Sequence, residues 1–152
     1  MRILLAIDGS PCSDVAVQEV ARRPWPAGSS VKVLTTYEIP VPPTPEGWAL
    51  PANYVQEMDA ALRKQAQQVV DRAVEKLKPN KSFAVDASLL PGPPRAVILD
   101  EAENWRADLV VLGSHGYSAW KRFLLGSVSQ AVVSHAKCSV EVVRCPVVGR
   151  KE

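Results

Sequence analysis

The chain has 152 residues, a length typical of one domain, and 47% of them are hydrophobic, enough for a sizeable buried core. Its 18 basic and 16 acidic residues leave a net charge of only +2, and the basic residues are scattered, which argues against a nucleic-acid groove or a basic membrane patch. No apolar run approaches the ~18 residues of a membrane span, and the first run is too short for a signal peptide. We therefore expect one domain over residues 1–152, in the cytoplasm, without nucleic-acid or membrane partners.

The first predicted strand, Arg2 to Ile7, is almost continuously apolar, as is typical of a strand covered on both faces. It ends on Asp8, and the following turn predicts a helix with Ser10 as N-cap and Pro11 at the first helical position, ending near Pro24. A carboxylate at this end of a parallel strand faces the ligand crevice. There it can accept hydrogen bonds from ribose hydroxyls or help hold a metal ion beside phosphates. Alternatively, Asp8 accepts hydrogen bonds from its own turn.

The three cysteines, Cys12, Cys138 and Cys145, are an odd number without CxxC spacing, which predicts neither a disulfide framework nor a zinc site. Cys12 falls in the first turn of the predicted helix, a position that favours a thiolate. A small packed side chain is the simpler interpretation of Cys12.

The second predicted strand, Val31 to Tyr37, is rich in β-branched residues. It leads into a proline-rich segment, Pro40 to Pro51, which we interpret either as a lid over the carboxyl edge of the sheet or as a plain surface excursion. A long helix follows from Asn53 to the Pro79 region. Its apolar positions at helical spacing are predicted to be core: Val55, Met58, Leu62, Val69, Ala73 and Leu77.

The third predicted strand, Phe83 to Leu90, has the alternation of a strand near a sheet edge. A proline-rich turn then opens a helix whose inward positions are Ile98, Ala102 and Trp105. The fourth strand, Leu109 to Leu112, is continuously apolar and runs directly into a glycine.

Two glycine-containing stretches follow the fourth strand: Gly113, Ser114, His115 and Gly116, then nine residues, then Gly126, Ser127, Val128 and Ser129. Glycines between a strand and a helix are typical of phosphate sites in open α/β sheets, because backbone N–H groups can approach the oxygens without a blocking Cβ. Ser127 is predicted to cap the helix, with Gln130 completing a capping box, and to donate to a phosphate. The alternative is an ordinary turn with Ser127 as a cap only.

The nine residues between the two glycine stretches form a loop, and its Phe123 and Leu125 are predicted to pack beneath it. Its Lys121 and Arg122 are either solvated or within reach of a phosphate. The last helix is predicted to bury Ala131, Val132 and His135, and the fifth strand to run from Ser139 to Arg144.

Strands that alternate with helices and lack hairpin signals predict an α/β fold, a Rossmann-like open sandwich with about four helices on its two faces. We expect a five-stranded parallel sheet in the order 3-2-1-4-5. The crevice should then lie between the first strand, which ends at Asp8, and the fourth, which ends at Gly113. The two candidate regions thus converge on one site.

The glycine pattern resembles the nucleotide-binding motif of the universal stress protein family: glycine, two residues, glycine, nine residues, glycine, then serine or threonine. The opening Ile7, Asp8, Gly9 and Ser10 and the closing Cys138 to Arg144 are also similar to that family, so the resemblance spans Met1 to Arg144. It implies a cytoplasmic ATP-binding protein of the stress response, with ATP as ligand and Mg²⁺ as an accompanying ion.

By position in the motif, the resemblance implies nucleotide contacts for twelve residues: Ala6, Ile7, Asp8, Thr36, Gly113, Ser114, His115, Gly116, Gly126, Ser127, Val128 and Ser129. Asp8 would also meet Mg²⁺. The resemblance further implies a homodimer through the last strand, Val140 to Arg144, although Glu141 and Arg144 alternatively blunt that edge.

Three functions remain open at this point. The first is an ATP-binding regulatory protein whose nucleotide sets conformation or partner binding. The second is slow ATP hydrolysis or phosphotransfer, for which only Asp8 and His115 are candidates, without a base positioned by a third group. The third is a dimeric interaction module without nucleotide, which would have no need for the glycine pattern.

Overall fold

Strands and helices alternate along the chain in the computed structural model, which describes residues 1–40, 51, 53–116 and 125–145. The strands are β1 (Arg2–Ala6), β2 (Ser29–Tyr37), β3 (Phe83–Pro91), β4 (Leu109–Gly113) and β5 (Ser139–Val143). The helices are α1 (Pro11–Arg22), α2 (Tyr54–Leu77), α3 (Pro94–Asn104) and α4 (Ser127–His135). All neighbouring strands are parallel, in the order β3-β2-β1-β4-β5. The predicted fold class and strand order are confirmed, with β3 at one edge.

The sheet is buried on both faces because successive residues of its central strands point to opposite sides. On one face, strand side chains pack against α1 and α2: Ile3, Leu5, Val31, Val33 and Val111 with Val17, Val20, Ala73 and Leu77. On the other face they pack against α3 and α4: Leu4, Ala6, Leu34, Val110 and Leu112 with Ile98, Ala102 and Val132. This two-sided burial explains why β1 and β4 are continuously apolar in sequence.

The start of α1 agrees with the sequence prediction. Ser10 is the N-cap, its side chain accepts a hydrogen bond from the Ser13 N–H, and Pro11 occupies the first helical position. The preceding turn requires Gly9, whose φ of 80° lies in the left-handed region that glycine adopts without steric cost. Asp8 and the first turn of α1 therefore follow directly from the carboxyl end of β1.

Helix α2 is buried along its second half only. Its buried residues are Ala66, Val70, Ala73 and Leu77, whereas Val55 is 50% exposed, so the predicted core stripe is wrong at its beginning. The 24 residues of α2 span about 36 Å, longer than the roughly 30 Å of the nine-residue strands, so the strands cannot cover the helix along its whole length. Within the described residues, no helix is both long enough and apolar enough to cross a membrane.

Three further packing predictions concern single side chains. His135 is exposed in the last turn of α4, with its Nδ1 2.9 Å from the Ala131 carbonyl oxygen, so its predicted burial is wrong. Leu125 is 37% exposed. Residues 117–124 of the loop beneath which it is predicted to pack lie outside the described residues, and with them Phe123, Lys121 and Arg122. Trp105 is half-buried against the face that carries α3, as predicted.

The interior of the proline-rich segment, 41–50, also lies outside the described residues, and with it the lid interpretation.

The prediction that the cysteines form no disulfide is wrong. Cys12 in α1 is joined to Cys145, two residues beyond β5, and their Cα atoms are 4.9 Å apart although 133 residues separate them in sequence. The sheet order brings the end of β5 beside α1. The spacing of the cysteines in the sequence does not indicate this proximity. Cys138 is a free, half-buried thiol, and burial raises its pKa.

Candidate functional site

A cavity of about 240 Å³ lies at the carboxyl ends of β1 and β4. At this point the connections diverge, since β1 leads to α1 on one face and β4 leads to α4 on the other. Ligands in open α/β sheets bind in such a crevice. Eleven of the twelve predicted site residues line the cavity: Ala6, Ile7, Asp8, Thr36, Gly113, His115, Gly116, Gly126, Ser127, Val128 and Ser129.

Ser114 is the predicted residue that does not line the cavity. It is 3% exposed and lies behind the wall, where its N–H donates to the Val143 carbonyl at 2.8 Å. Its own carbonyl accepts the Gly126 N–H at 2.8 Å. Ser114 therefore connects β4, the end of β5 and the start of α4, and supports the cavity from behind.

Asp8 lies at the polar end of the cavity. Its Oδ1 accepts the Ser10 N–H at 2.9 Å, so the alternative of a turn-capping carboxylate holds for one of its oxygens. Its Oδ2 faces Gly116, because a Cβ built on that glycine would lie only 2.7 Å from it. Asp8 thus fixes its own turn and also presents an oxygen to the cavity.

Asp8 is also the candidate ligand for Mg²⁺. Among the described residues, no group of three or more His, Cys, Asp or Glu side chains is arranged to hold a metal ion. Mg²⁺ is commonly held by one or two carboxylates together with substrate phosphates and water, so one carboxylate is compatible with an ion that arrives with a nucleotide. The donor set does not suit a metal held by protein side chains alone.

The start of α4 is tied to the end of β4. Ser129 donates its hydroxyl to the Gly113 carbonyl at 2.8 Å and to the Ser114 carbonyl at 3.2 Å. Gly126 is the N-cap in an extended conformation, without a side-chain cap, and Ser127 is the first helical residue. The prediction that Ser127 caps the helix is therefore wrong by one position, and the first N–H groups of α4 stay available at the cavity.

His115 belongs to the cavity wall through both its backbone and its ring. Its carbonyl accepts the Ser10 hydroxyl at 3.3 Å, and its Nδ1 lies 3.0 Å from the Ser114 Oγ. These contacts hold residues 113–116 against the start of α1. Because Ser114 also contacts the start of α4, residues 113–116 contact both helices that begin at the site.

Gly113 and Gly116 are glycine for different reasons. A Cβ on Gly113 would lie 2.7 Å from the carbonyl carbon of Cys12 and 2.9 Å from its oxygen, so β4 packs directly on the backbone of α1. Among the described residues, a Cβ on Gly116 would meet within 3 Å only the end of the Asp8 side chain. Gly113 is required by packing, whereas Gly116 keeps the cavity open.

Sequence reasoning missed the apolar end of the cavity, which is formed by Leu34, Leu112, Pro94 and Ile98, and also missed Ser13. Leu34 is two residues before Thr36 on the same strand, so strand alternation contained that signal. Pro94 and Ile98 lie one turn apart on α3, and only the fold brings that helix to the cavity.

The model of the universal stress protein family matches residues 1–144. The chain belongs to the universal stress protein family. This universal stress protein is 30% identical over 148 residues to universal stress protein MJ0531 of Methanocaldococcus jannaschii, a match covering 95% of this chain and 82% of the relative. It is 33% identical over 144 residues to a universal stress protein of Thermus aquaticus, covering 93% of this chain and 97% of that relative.

Solved structures share the fold of this universal stress protein at lower identity. Hypothetical protein MJ0577 superposes with a TM-score of 0.82 at 24% identity, covering 96% of both chains. A universal stress protein in complex with cAMP has a TM-score of 0.63 at 22% identity, covering 96% of this chain and 98% of that one. An Arabidopsis thaliana family protein with AMP bound has a TM-score of 0.70 at 17% identity, covering 97% and 93%.

Proposed function

We propose that this protein binds ATP in the cavity between β1 and β4, and that the bound nucleotide sets its conformation or its choice of partner. One observation carries the proposal: the cavity at the reversal of strand order is lined by apolar side chains and also by the glycines, the uncapped start of α4 and the Asp8 carboxylate. A nucleotide has the same division, with a flat base at one end and phosphates at the other.

The apolar end suits an adenine ring. Leu34 and Leu112 belong to the central strands, and Ile98 reaches them from α3. The backbone of Thr36, at the end of β2, supplies the polar groups that a base edge requires. Apolar side chains around a few polar groups are the usual composition of a small-molecule site.

The polar end suits phosphates. Gly116 leaves room for the chain to approach, and α4 begins at Gly126 without a side-chain cap, so its N–H groups and helix dipole favour an anion there. Asp8 would contact the ribose or, with the phosphates, hold Mg²⁺, which would neutralise part of their charge. The relatives described with AMP and with cAMP support an adenine nucleotide as the ligand class.

The identity of the nucleotide can be tested by mass spectrometry of the small molecules released when the purified protein is denatured. We expect ATP in an amount that approaches one per chain. A matched preparation of Gly116→Val serves as the control and should release much less. Release of no adenine nucleotide from wild-type protein, or of cAMP alone, would contradict ATP as the ligand.

We also propose that two chains pair through β5, an edge strand of the sheet, in a homodimer. The side chains of Val140 and Val142 are only half-buried against the α4 face, so an apolar edge remains for a partner. The Glu141 carboxylate accepts both Arg23 guanidinium nitrogens at 2.6 Å and is directed to α1, so it does not blunt the edge. Sedimentation equilibrium should report twice the monomer mass, and a monomer at all concentrations would contradict pairing.

A further inference from the structure

The Cys12–Cys145 disulfide lies immediately behind the cavity wall. Cys12 is the second residue of α1, between the N-cap Ser10 and the cavity-lining Ser13. Cys145 follows β5 by two residues. The disulfide therefore joins the segment just after β5 to the helix that begins at the site.

Direct contacts connect the Cys12 sulfur to the cavity wall. The Ser114 hydroxyl donates to the Cys12 Sγ at 3.9 Å, and the same hydroxyl lies 3.0 Å from the Nδ1 of His115. His115 lines the cavity, and its carbonyl is held by Ser10 from the turn that carries Cys12. A change at the sulfur thus reaches a cavity residue through one intervening side chain.

The other half of the disulfide is connected to the same wall. Cys145 follows Val143, whose carbonyl accepts the Ser114 N–H at 2.8 Å. At the far end of α1, Arg23 pairs with Glu141 of β5 at 2.6 Å. That ion pair holds α1 and β5 together away from the cavity, so the disulfide acts mainly on the part of their contact that borders the site.

The two cysteines differ in exposure and in local electrostatics. Cys145 is half-buried and lies outside the regular structure, whereas Cys12 is 8% exposed. Once reduced, Cys12 would lie at the N-terminus of a helix, where the dipole stabilises a thiolate. One cysteine is therefore partly exposed, and the other is in a position that favours the reactive form.

We propose that Cys12 and Cys145 are a reversible dithiol–disulfide couple that regulates nucleotide affinity, an inference that rests on the proposed ATP site. The oxidant would be a hydroperoxide. One thiolate attacks the terminal peroxide oxygen, which forms a sulfenic acid and expels an alkoxide, or hydroxide when the oxidant is hydrogen peroxide, and the expelled group takes a proton from solvent. The second thiol attacks that sulfur, so that the disulfide forms and water leaves, and a dithiol reductant returns both thiols by exchange.

The oxidised form should bind ATP more tightly. The disulfide fixes the first turn of α1 and the end of β5 on either side of Ser114, so the wall is ordered before the nucleotide arrives. The reduced form must order these groups on binding, which lowers affinity. We expect a Kd about tenfold higher for the reduced protein, in the range of ordinary coupling between two sites.

The test compares full-length protein oxidised with hydrogen peroxide and reduced with a dithiol. Alkylation and mass spectrometry count the free thiols, circular dichroism monitors the fold, and calorimetry gives the ATP Kd of each form. Cys138→Ser should keep the full response. Cys145→Ser should bind ATP like reduced wild-type protein under both conditions.

Three results would overturn the regulatory couple: no disulfide after oxidation, equal Kd values for the two forms, or loss of the fold on reduction, which would make the disulfide purely structural. Equal Kd values would leave the proposed ATP site intact. Absence of ATP binding in both forms would instead refute the proposed function and, with it, this inference. The thiol counts and the two titrations therefore distinguish the two failures.

Discussion

Gly116→Val should weaken ATP binding about 100-fold, equivalent to about 2.7 kcal/mol, and leave the melting temperature nearly unchanged. A Cβ at this position would lie 2.7 Å from the Asp8 Oδ2 and project beside the cavity. The valine side chain would displace that carboxylate and block the approach of backbone N–H groups to phosphates. Calorimetric titration measures the affinity, and a thermal melt measures the stability.

Gly28→Ala is the matched control for that variant. Gly28 has a φ of +77° in the turn before β2, and a Cβ there would have no neighbour within 4 Å in the part of the chain that the structure describes. Alanine should cost about 1 kcal/mol of stability through backbone strain and leave the ATP affinity unchanged. If the Gly116→Val variant binds ATP as tightly as wild-type protein, position 116 does not border the phosphate site.

Gly113→Ala should instead lower the free energy of unfolding by about 2–3 kcal/mol. Its Cβ would meet the backbone of Cys12, with 2.7 Å to the carbonyl carbon and 2.9 Å to the oxygen. Backbone atoms of a helix cannot rotate away as a side chain can, so α1 and β4 would have to separate. Denaturation in urea, followed by circular dichroism, measures the loss as a lower midpoint.

Gly116→Ala is the comparison for Gly113→Ala, since each adds one methyl group, at the end of β4 in Gly113→Ala and three residues beyond it in Gly116→Ala. The close contact of the Gly116 methyl group would be with the movable carboxylate of Asp8, so its urea midpoint should stay near that of wild-type protein. Equal midpoints for Gly113→Ala and wild-type protein would contradict the close packing of β4 on α1.

The fold could be predicted because its strongest signals are local. The apolar runs of β1 and β4 require burial on both faces, and parallel strands with helical crossovers then allow few arrangements. The site could be predicted for the related reason that Asp8 and the glycines directly follow these two strands. Their convergence needed only the strand order, in which β1 and β4 are neighbours.

The remaining features depend on distances that the sequence does not contain. The Cys12–Cys145 disulfide joins residues 133 positions apart, and its geometry arises only when β5 is placed beside α1. The apolar stripe of α2 is periodic from its start, but Val55 is half exposed. Ser127 satisfies the pattern of a cap, yet the chain enters the helix at Gly126 and leaves that hydroxyl exposed.

The proposed ATP site in the cavity between β1 and β4 can be tested directly. Its most direct test is calorimetric titration of ATP, with Mg²⁺, into wild-type protein stripped of any nucleotide that purifies with it. We expect saturable binding with one ATP per chain. Absence of binding at millimolar ATP, with the fold intact by circular dichroism, would contradict it.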